Sequence, residues 1–322
     1  MVSSMTPYGF PSEYYHCLLD EQPYYLAPSR LYGPDIAGPL VVNPQCWFSW
    51  HGPLPPDKSI RTVATEYLFP SEWMVWVDDP GTRAIWPYCI GREYAGYLSD
   101  LSPGSFLEKE LPPHVRWVLT RANILVEPDF DERRHREWLD TVWHCARNFE
   151  RGYTALAGLI PPFHLGAMRR YYRYHTRVGS FTLGDGQVAR RHVAHNEGVA
   201  RYIHCQLTHA VSDIVGNLVK PSYSYLAAYE SGSMLERHTD REQCEFSITL
   251  CIDATPEPQA QVPWPIQLDI PDGTLRVWQH LGDGLLFRGR YLPHYRDMLP
   301  EGYTSTSLLL HYVDYSFSAT LS

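Results

Sequence analysis

The sequence predicts an α+β domain in which helices come first and a run of short strands follows, the strands forming a sandwich or barrel. Two changes of pattern carry this prediction. Between Asp129 and Asn217, apolar residues recur at three- and four-residue spacing; after Lys220 the spacing falls to two almost to the end of the chain. The aromatic content of 14%, with 23 Tyr and 10 Trp, suits β-rich structure with aromatic-lined clefts. With 322 residues, the chain is long enough for one large domain or a core domain with a substantial extra lobe.

Residues 1–127 read as an irregular, β-containing N-terminal lobe, rich in Pro, Tyr and Trp. Its candidate strands are "WMVWVDD" and "RWVLTRANILV", with "HGPLPP" and "ELPPH" as loop or edge segments because consecutive prolines do not fit inside a sheet. No chemical motif stands out there, and a role in choosing the substrate is the expectation for this lobe. Residues 128–322 hold the helices and the strand-rich core. In "DFDERRHREWLDTVWHCARNFE" an acidic first turn is expected to cap a helix that buries Trp138, Leu139, Val142, Trp143, Ala146 and Phe149. A second helix fits "PPFHLGAMRRYYRYH". A third fits "HNEGVARYIHCQLTHAVSDIVGN", with Val199, Ile203, Leu207, Ala210, Val211 and Ile214 on one face and Gly-Asn as its stop.

Strands follow at "PSYSYLAAY", with Tyr223, Tyr225, Ala227 and Tyr229 on one face, and at "EFSITLCID", with Phe246, Ile248, Leu250 and Ile252 alternating. Others fit "PIQLDI", "TLRVWQH", "GDGLLFRGR" and "STSLLLHYVD". Lys plus Arg is 27 and Asp plus Glu is 36, a net charge of −9, which argues against a general affinity for nucleic acid or anionic membranes. The seven cysteines are scattered, with no C-x-x-C, a pattern that fits a reducing cytoplasm better than a disulfide framework or a structural zinc site. Neither a secretory leader pattern nor an apolar run of roughly 18 residues is present, so a cytoplasmic protein without a membrane partner is expected.

The chain contains 15 histidines and a single His-x-Asp, His238-Thr239-Asp240. On a strand, residues i and i+2 share a face, so an imidazole and a carboxylate stand side by side as two ligands of one metal. A second histidine from another strand would complete a 2-His-1-carboxylate face with open positions, the arrangement suited to non-haem Fe(II). His294, beyond several candidate strands, is the best partner. The tripeptide alone is common by chance, and a solvated turn with a salt bridge is its ordinary reading.

Context adds specificity. "YLAAYESGSMLERHTDREQCEFSITLCID" resembles the metal-binding segment of Fe(II)- and 2-oxoglutarate-dependent dioxygenases of the prolyl-4-hydroxylase-like type: a strand ending in Tyr, a Gly-containing turn, His-x-Asp, then an apolar strand. "GDGLLFRGRYLPHYRDMLPEGYTSTSLLLHYVD" resembles the second half, with a Gly-Asp-Gly turn, the distal His and a closing strand. The resemblance spans about residues 196–315 and leaves residues 1–127 uncovered. It implies a double-stranded β-helix (jelly-roll or cupin-like) core with flanking helices, Fe(II) held by His238, Asp240 and His294, and 2-oxoglutarate and O₂ as cosubstrates. The implied reaction is hydroxylation of an unactivated C–H in a small molecule, amino acid or peptide, with release of succinate and CO₂. Related halogenases replace the carboxylate with a small residue, so Asp240 favours hydroxylation, desaturation or another oxidation over halogenation.

One departure matters. Where the family places a Lys or Arg for the far carboxylate of 2-oxoglutarate, about ten residues after the distal His, this chain has Thr304. Arg296 is the first substitute, with Arg288 and Arg290 next, all on the side of His294 if strand alternation continues through Pro293. Tyr229 and Ser305 or Ser307 are the expected hydrogen-bond donors. Arg237 and Arg241 flank the motif and read either as substrate contacts or as solvated side chains. His280 and His311 are candidates to line the cavity; His192, His195, His204 and His209 are expected to be structural, and Cys244 and Cys251 to be small core residues. Two other functions stay open at the level of sequence: a non-catalytic or sensing β-helix protein, and a cupin-like metal enzyme that does not use 2-oxoglutarate.

Overall fold

Prolines and aliphatic spacing decide the first elements of the structure, a computed structural model that describes residues 38–56 and 73–321. The chain start and Cys17 lie outside the described residues. Strands β1 (Val41–Val42), β2 (Cys46–Phe48), β3 (Met74–Asp78) and β4 (Ile85–Cys89) come first. "WMVWVDD" forms β3, the centre of an antiparallel β2-β3-β4 sheet, buried on both faces through Met74, Val75, Trp76 and Val77. After the short helix α1 (Gly91–Gly96), the segment expected as the strand "RWVLTRANILV" is instead helix α2 (Pro113–Arg121), followed by β5 (Leu125–Val126), which pairs with β1. Pro113 sits at a helix start, where its missing N–H costs nothing, and Val115 and Leu119 bury one helical turn apart.

Helix α3 (Phe130–Phe149) lies where the sequence places it, but its buried face is rotated. Arg134, Trp138, Thr141, Cys145 and Phe149 face inward, while Leu139 is 55% exposed and Trp143 52% exposed. The reason is a buried ion pair that an apolar count does not register. The Arg134 guanidinium, fully enclosed, donates from Nε and Nη2 to both oxygens of Asp79 at 2.8 Å. Gly81 makes room for it, since a Cβ there would lie 2.9 Å from Arg134 Cζ. The expected cap is also absent: Asp129 makes no side-chain cap bond. Asp79→Ala would strand a buried charge and is expected to cost about 3–5 kcal/mol of stability, read from denaturant midpoints. Burial pushes the Asp79 carboxyl up, but Arg134 outweighs it and holds it below the usual carboxylate range. The pair's contribution is therefore present above that range and lost as pH falls through the lowered folded value.

Next come β6 (Tyr153–Leu156), α4 (Pro162–Arg177), β7 (Thr182–Leu183) and β8 (Arg191–His195). The third expected helix is divided into α5 (Gly198–Gln206) and α6 (Thr208–Val215). The His204 carbonyl accepts from the hydroxyls of Thr208 (3.2 Å) and Tyr312 (2.9 Å), the kind of back-bonding that bends a helix. Glu197 caps α5 by accepting from the amides of Val199 and Ala200, and Gly216, at φ 74°, ends α6.

Two antiparallel sheets then form the core. Strands β9 (Val219–Tyr229), β10 (Leu235–His238), β11 (Phe246–Thr255), β12 (Ile266–Ile270), β13 (Gly273–Val277), β14 (Gly284–Phe287), β15 (His294–Arg296) and β16 (Thr304–Asp314) complete the chain. The larger sheet has the order β6-β14-β11-β16-β9-β8-β7 and the smaller one β10-β15-β12-β13. Successive strands thus alternate between sheets over much of this run. Helices α5 and α6 cover the outer face at β9, and α4 is tied to β11 by Arg169 and Arg173, both paired with Asp253. A continuous apolar core runs from Leu40 to Tyr312. No helix among the described residues is long and apolar enough to cross a membrane.

Candidate metal centre

Antiparallel pairing sets His238 of β10 directly opposite His294 of β15, with a register irregularity just before His238. The two rings lie with centroids 4.3 Å apart. Each ring nitrogen Nδ1 is bonded to a backbone carbonyl two residues back: His238 to Glu236 O at 2.8 Å, His294 to Leu292 O at 3.0 Å. A carbonyl can only accept, so Nδ1 carries the proton, and in the neutral ring Nε2 keeps a bare lone pair. Burial holds His294 below its usual pKa, in keeping with a neutral ring.

Both lone pairs face one oxygen. Asp240 Oδ1 lies 3.8 Å from His238 Nε2 and 3.6 Å from His294 Nε2, and the three ligand atoms all fall within 4.8 Å of one another. These separations are too long for hydrogen bonds and suit donors grouped around one cation. Asp240 is held by its other atoms: its amide donates to Gly289 O at 2.9 Å, and Oδ2 accepts from Ser247 Oγ at 2.7 Å. Ser247 in turn bonds His311 Nδ1 at 2.9 Å, its register partner on β16. A Cβ on Gly289 would lie 2.1 Å from Asp240 Oδ2 and 2.6 Å from Ser247 Oγ. Gly289→Ala is expected to push the carboxylate out of line and weaken Fe(II) binding roughly 10–100-fold while circular dichroism stays unchanged, the range found when a ligand's support is lost.

The triad opens on a cavity of about 300 Å³ between the two sheets. Arg296 follows His294 by two residues and lines the same cavity, 5% exposed. Its guanidinium stacks 4.7 Å from the Trp264 ring centroid, with Nη1 donating to Trp264 O at 2.6 Å and Nη2 to Gln279 Oε1 at 3.4 Å. No carboxylate pairs with it among the described residues. Burial lowers its pKa from the usual arginine value, yet a guanidinium stays charged. Ser307 Oγ, also lining the cavity, is buried without a hydrogen-bond partner among the described residues.

Other expected positions fall elsewhere. β14 ends at Phe287 and a turn precedes β15, so the alternation expected to carry Arg288 and Arg290 inward is broken. Arg288 stacks on Phe149 and Phe246, and Arg290 on Tyr291; neither lines the cavity. Ser305 is buried opposite Tyr229 and does not line the cavity either, and Thr304 is exposed. Tyr229 does line it, accepting at its hydroxyl from Arg191 Nη1 at 3.0 Å.

Several lining residues carried little sequence signal. His195, expected to be structural, sits in the wall beside Tyr225, and His311 lines the cavity whereas His280 is engaged with Asp283. In the same wall the buried Arg191 pairs with the half-buried Asp185, and Tyr225 also donates to Asp185. The period-two spacing of Arg191, Val193 and His195 on β8 was the available clue. Among the described residues, every cavity-lining side chain lies between Asp185 and His311. The described residues of the N-terminal lobe, 38–56 and 73–127, are not among them.

No protein-family model matches the chain, and no curated protein matches it. Among solved structures, it is similar to a prolyl-4-hydroxylase of Pseudomonas putida, with 16% identity over 54% of this chain and 100% of that one and a TM-score of 0.46. It is also similar to HygX from Streptomyces hygroscopicus with nickel and 2-oxoglutarate bound, with 12% identity, 54% and 88% of the two chains covered and a TM-score of 0.43. A 2OG-Fe(II) oxygenase family oxidoreductase from Burkholderia pseudomallei shares 11% identity over 53% of this chain and 89% of that one, at a TM-score of 0.41. The functional reading rests on the side chains.

Proposed function

We propose that the protein is an Fe(II)- and 2-oxoglutarate-dependent oxygenase that hydroxylates an unactivated C–H of a small molecule, amino acid or peptide, with succinate and CO₂ as co-products. One juxtaposition carries this reading: three convergent, electron-rich ligand atoms open on a cavity that also holds a buried arginine with no acidic partner among the described residues. The strand order supports a double-stranded β-helix. Counting the eight strands from β9, the larger sheet contains 1-8-3-6 and the smaller 2-7-4-5, two four-stranded faces wound around one cavity.

His238, Asp240 and His294 would hold the metal on one face and leave the other open to exogenous ligands. The Nδ1–H bonds to Glu236 and Leu292 fix both tautomers, and Ser247 with His311 keeps Asp240 turned so that Oδ1 faces the histidines. Bound Fe(II) would supply the positions at which 2-oxoglutarate chelates and O₂ is activated. Arg296, two residues along the strand from His294 and so about 7 Å further on, matches the reach of a five-carbon dicarboxylate. It would take the far carboxylate in a charge-assisted bond, with Ser307 adding a hydroxyl. The unpaired Arg296 is what favours this over a cupin-like enzyme without 2-oxoglutarate: an uncompensated buried charge is costly, and a carboxylate cosubstrate relieves it. The six described cysteines are all free, which suits the cytoplasmic setting expected from the sequence.

Anaerobic titration with Fe(II) and then 2-oxoglutarate tests the reading. A weak visible charge-transfer band that saturates with 2-oxoglutarate is the expected result; iron bound without such a band would overturn it.

A further inference from the structure

The cavity's charges point to a substrate class. Among the described residues, three arginines (Arg191, Arg241, Arg296) and two aspartates (Asp185, Asp240) line it. A divalent metal and a dianionic cosubstrate cancel, so the loaded cavity keeps one positive charge. Arg191 is matched by Asp185, and Arg296 by the far carboxylate of the proposed cosubstrate. The remaining charge is on Arg241, one residue after the metal-facing Asp240.

Arg241 is exposed to solvent, and Tyr223 rather than an acidic group holds it in place. Its Nη2 donates to the Tyr223 hydroxyl at 3.0 Å, and its guanidinium lies 5.4 Å from the Tyr223 ring centroid. The Tyr223 hydroxyl is itself fixed against Cys244 Sγ at 3.1 Å. No acidic side chain pairs with Arg241 among the described residues. Arg237, on the other side of the motif, is instead committed to Asp269 at 2.6 Å and does not line the cavity. Beside Arg241 the wall is aromatic: His195 packs against Tyr225, with ring centroids 4.5 Å apart, and against Tyr223 at 5.8 Å.

We infer that the substrate is a compact monocarboxylate whose carboxylate is held by Arg241 and whose flat or aliphatic body lies along the His195, Tyr223 and Tyr225 wall. This rests on the oxygenase reading. A single residual charge fits a carboxylate better than a phosphate group, which carries about −1.5 to −2 at neutral pH. The guanidinium is a planar fork suited to carboxylate oxygens. Size points the same way, because about 300 Å³ is at the small end for ligand sites and must also hold the cosubstrate.

The test uses benzoate, with benzamide as its neutral counterpart, added anaerobically to the Fe(II)·2-oxoglutarate form while the charge-transfer band is recorded. A saturable change of the band with benzoate but not benzamide is expected. Arg241→Gln should weaken the benzoate response at least tenfold, and Arg241→Lys, which keeps the charge, should restore most of it. Equal responses to the acid and the amide, no benzoate response, or an unchanged response in R241Q would each overturn the inference while leaving the oxygenase reading intact. A loss of 2-oxoglutarate affinity in R241Q would assign this guanidinium to the cosubstrate and overturn it as well. Absence of the band in the unmodified protein would remove the oxygenase reading, and the inference with it.

Discussion

Asp240→Ala is expected to abolish Fe(II)-supported release of succinate. Asp240 is the only anionic donor of the triad, and its Oδ1 is the atom both histidine Nε2 lone pairs face. Without it, two neutral imidazoles remain to hold a divalent cation in a cavity that contains arginines. Breaking one side of a buried charge pair costs about 3–5 kcal/mol, a loss in metal affinity of roughly a hundred- to several-thousand-fold. His238→Ala should act in the same direction. Metal affinity measured by Co(II) or Fe(II) titration and succinate measured after turnover should fall together. A variant that releases succinate at the unmodified rate would remove these residues from the metal.

Arg296→Met should lose 2-oxoglutarate and gain stability. Truncating one partner of a buried, hydrogen-bonded charge pair costs about 2–5 kcal/mol of binding, so the 2-oxoglutarate dissociation constant should rise roughly thirtyfold or more. In the absence of cosubstrate the same arginine is a desolvated charge with only neutral partners among the described residues: Trp264 O, Gln279 Oε1 and the Trp264 ring. Replacing it with an apolar side chain of similar length removes that penalty, and the ligand-free variant should melt higher than the unmodified protein. The opposed signs separate this role from a structural one, for which binding and melting temperature would both fall. If Met at this position leaves the 2-oxoglutarate titration unmoved, another residue binds the far carboxylate.

The parts of the molecule that were legible in sequence are those where side-chain period and chemistry coincide. On β11, Phe246, Ile248 and Leu250 alternate with Ser247 and Thr249, yet the whole strand from Phe246 to Ala254 is buried. A polar row that is nevertheless enclosed implies an interior with polar work to do, and Ser247 and Thr249 do line the cavity. His238 was legible with Asp240 as an i, i+2 pair, and His294 as a histidine beyond several candidate strands in a segment that resembles the second half of a known family's metal site. What misled was either a charged residue serving as core or a short break in a run. Arg134 turned α3 away from its apolar stripe, because a helix face can be set by one buried ion pair. The turn after Phe287 ended the alternation that would have carried Arg288 and Arg290 inward. Gly289 was unreadable for another reason: its importance lies in an atom it lacks, and only the positions of Asp240 and Ser247 reveal it.

β10 is the edge strand of the smaller sheet, joined to β15 only at Leu235 with Arg296 and at His238 with His294, across an irregular register. So slight a ladder holds an edge weakly. An ion bound by His238, Asp240 and His294 would act as a clasp across that seam, fastening positions 238 and 294, 56 residues apart in the chain. Loading the metal would then be an act of assembly as much as of chemistry: the ion would lock the strand register on which its own ligands depend, and removing it would let that edge fray.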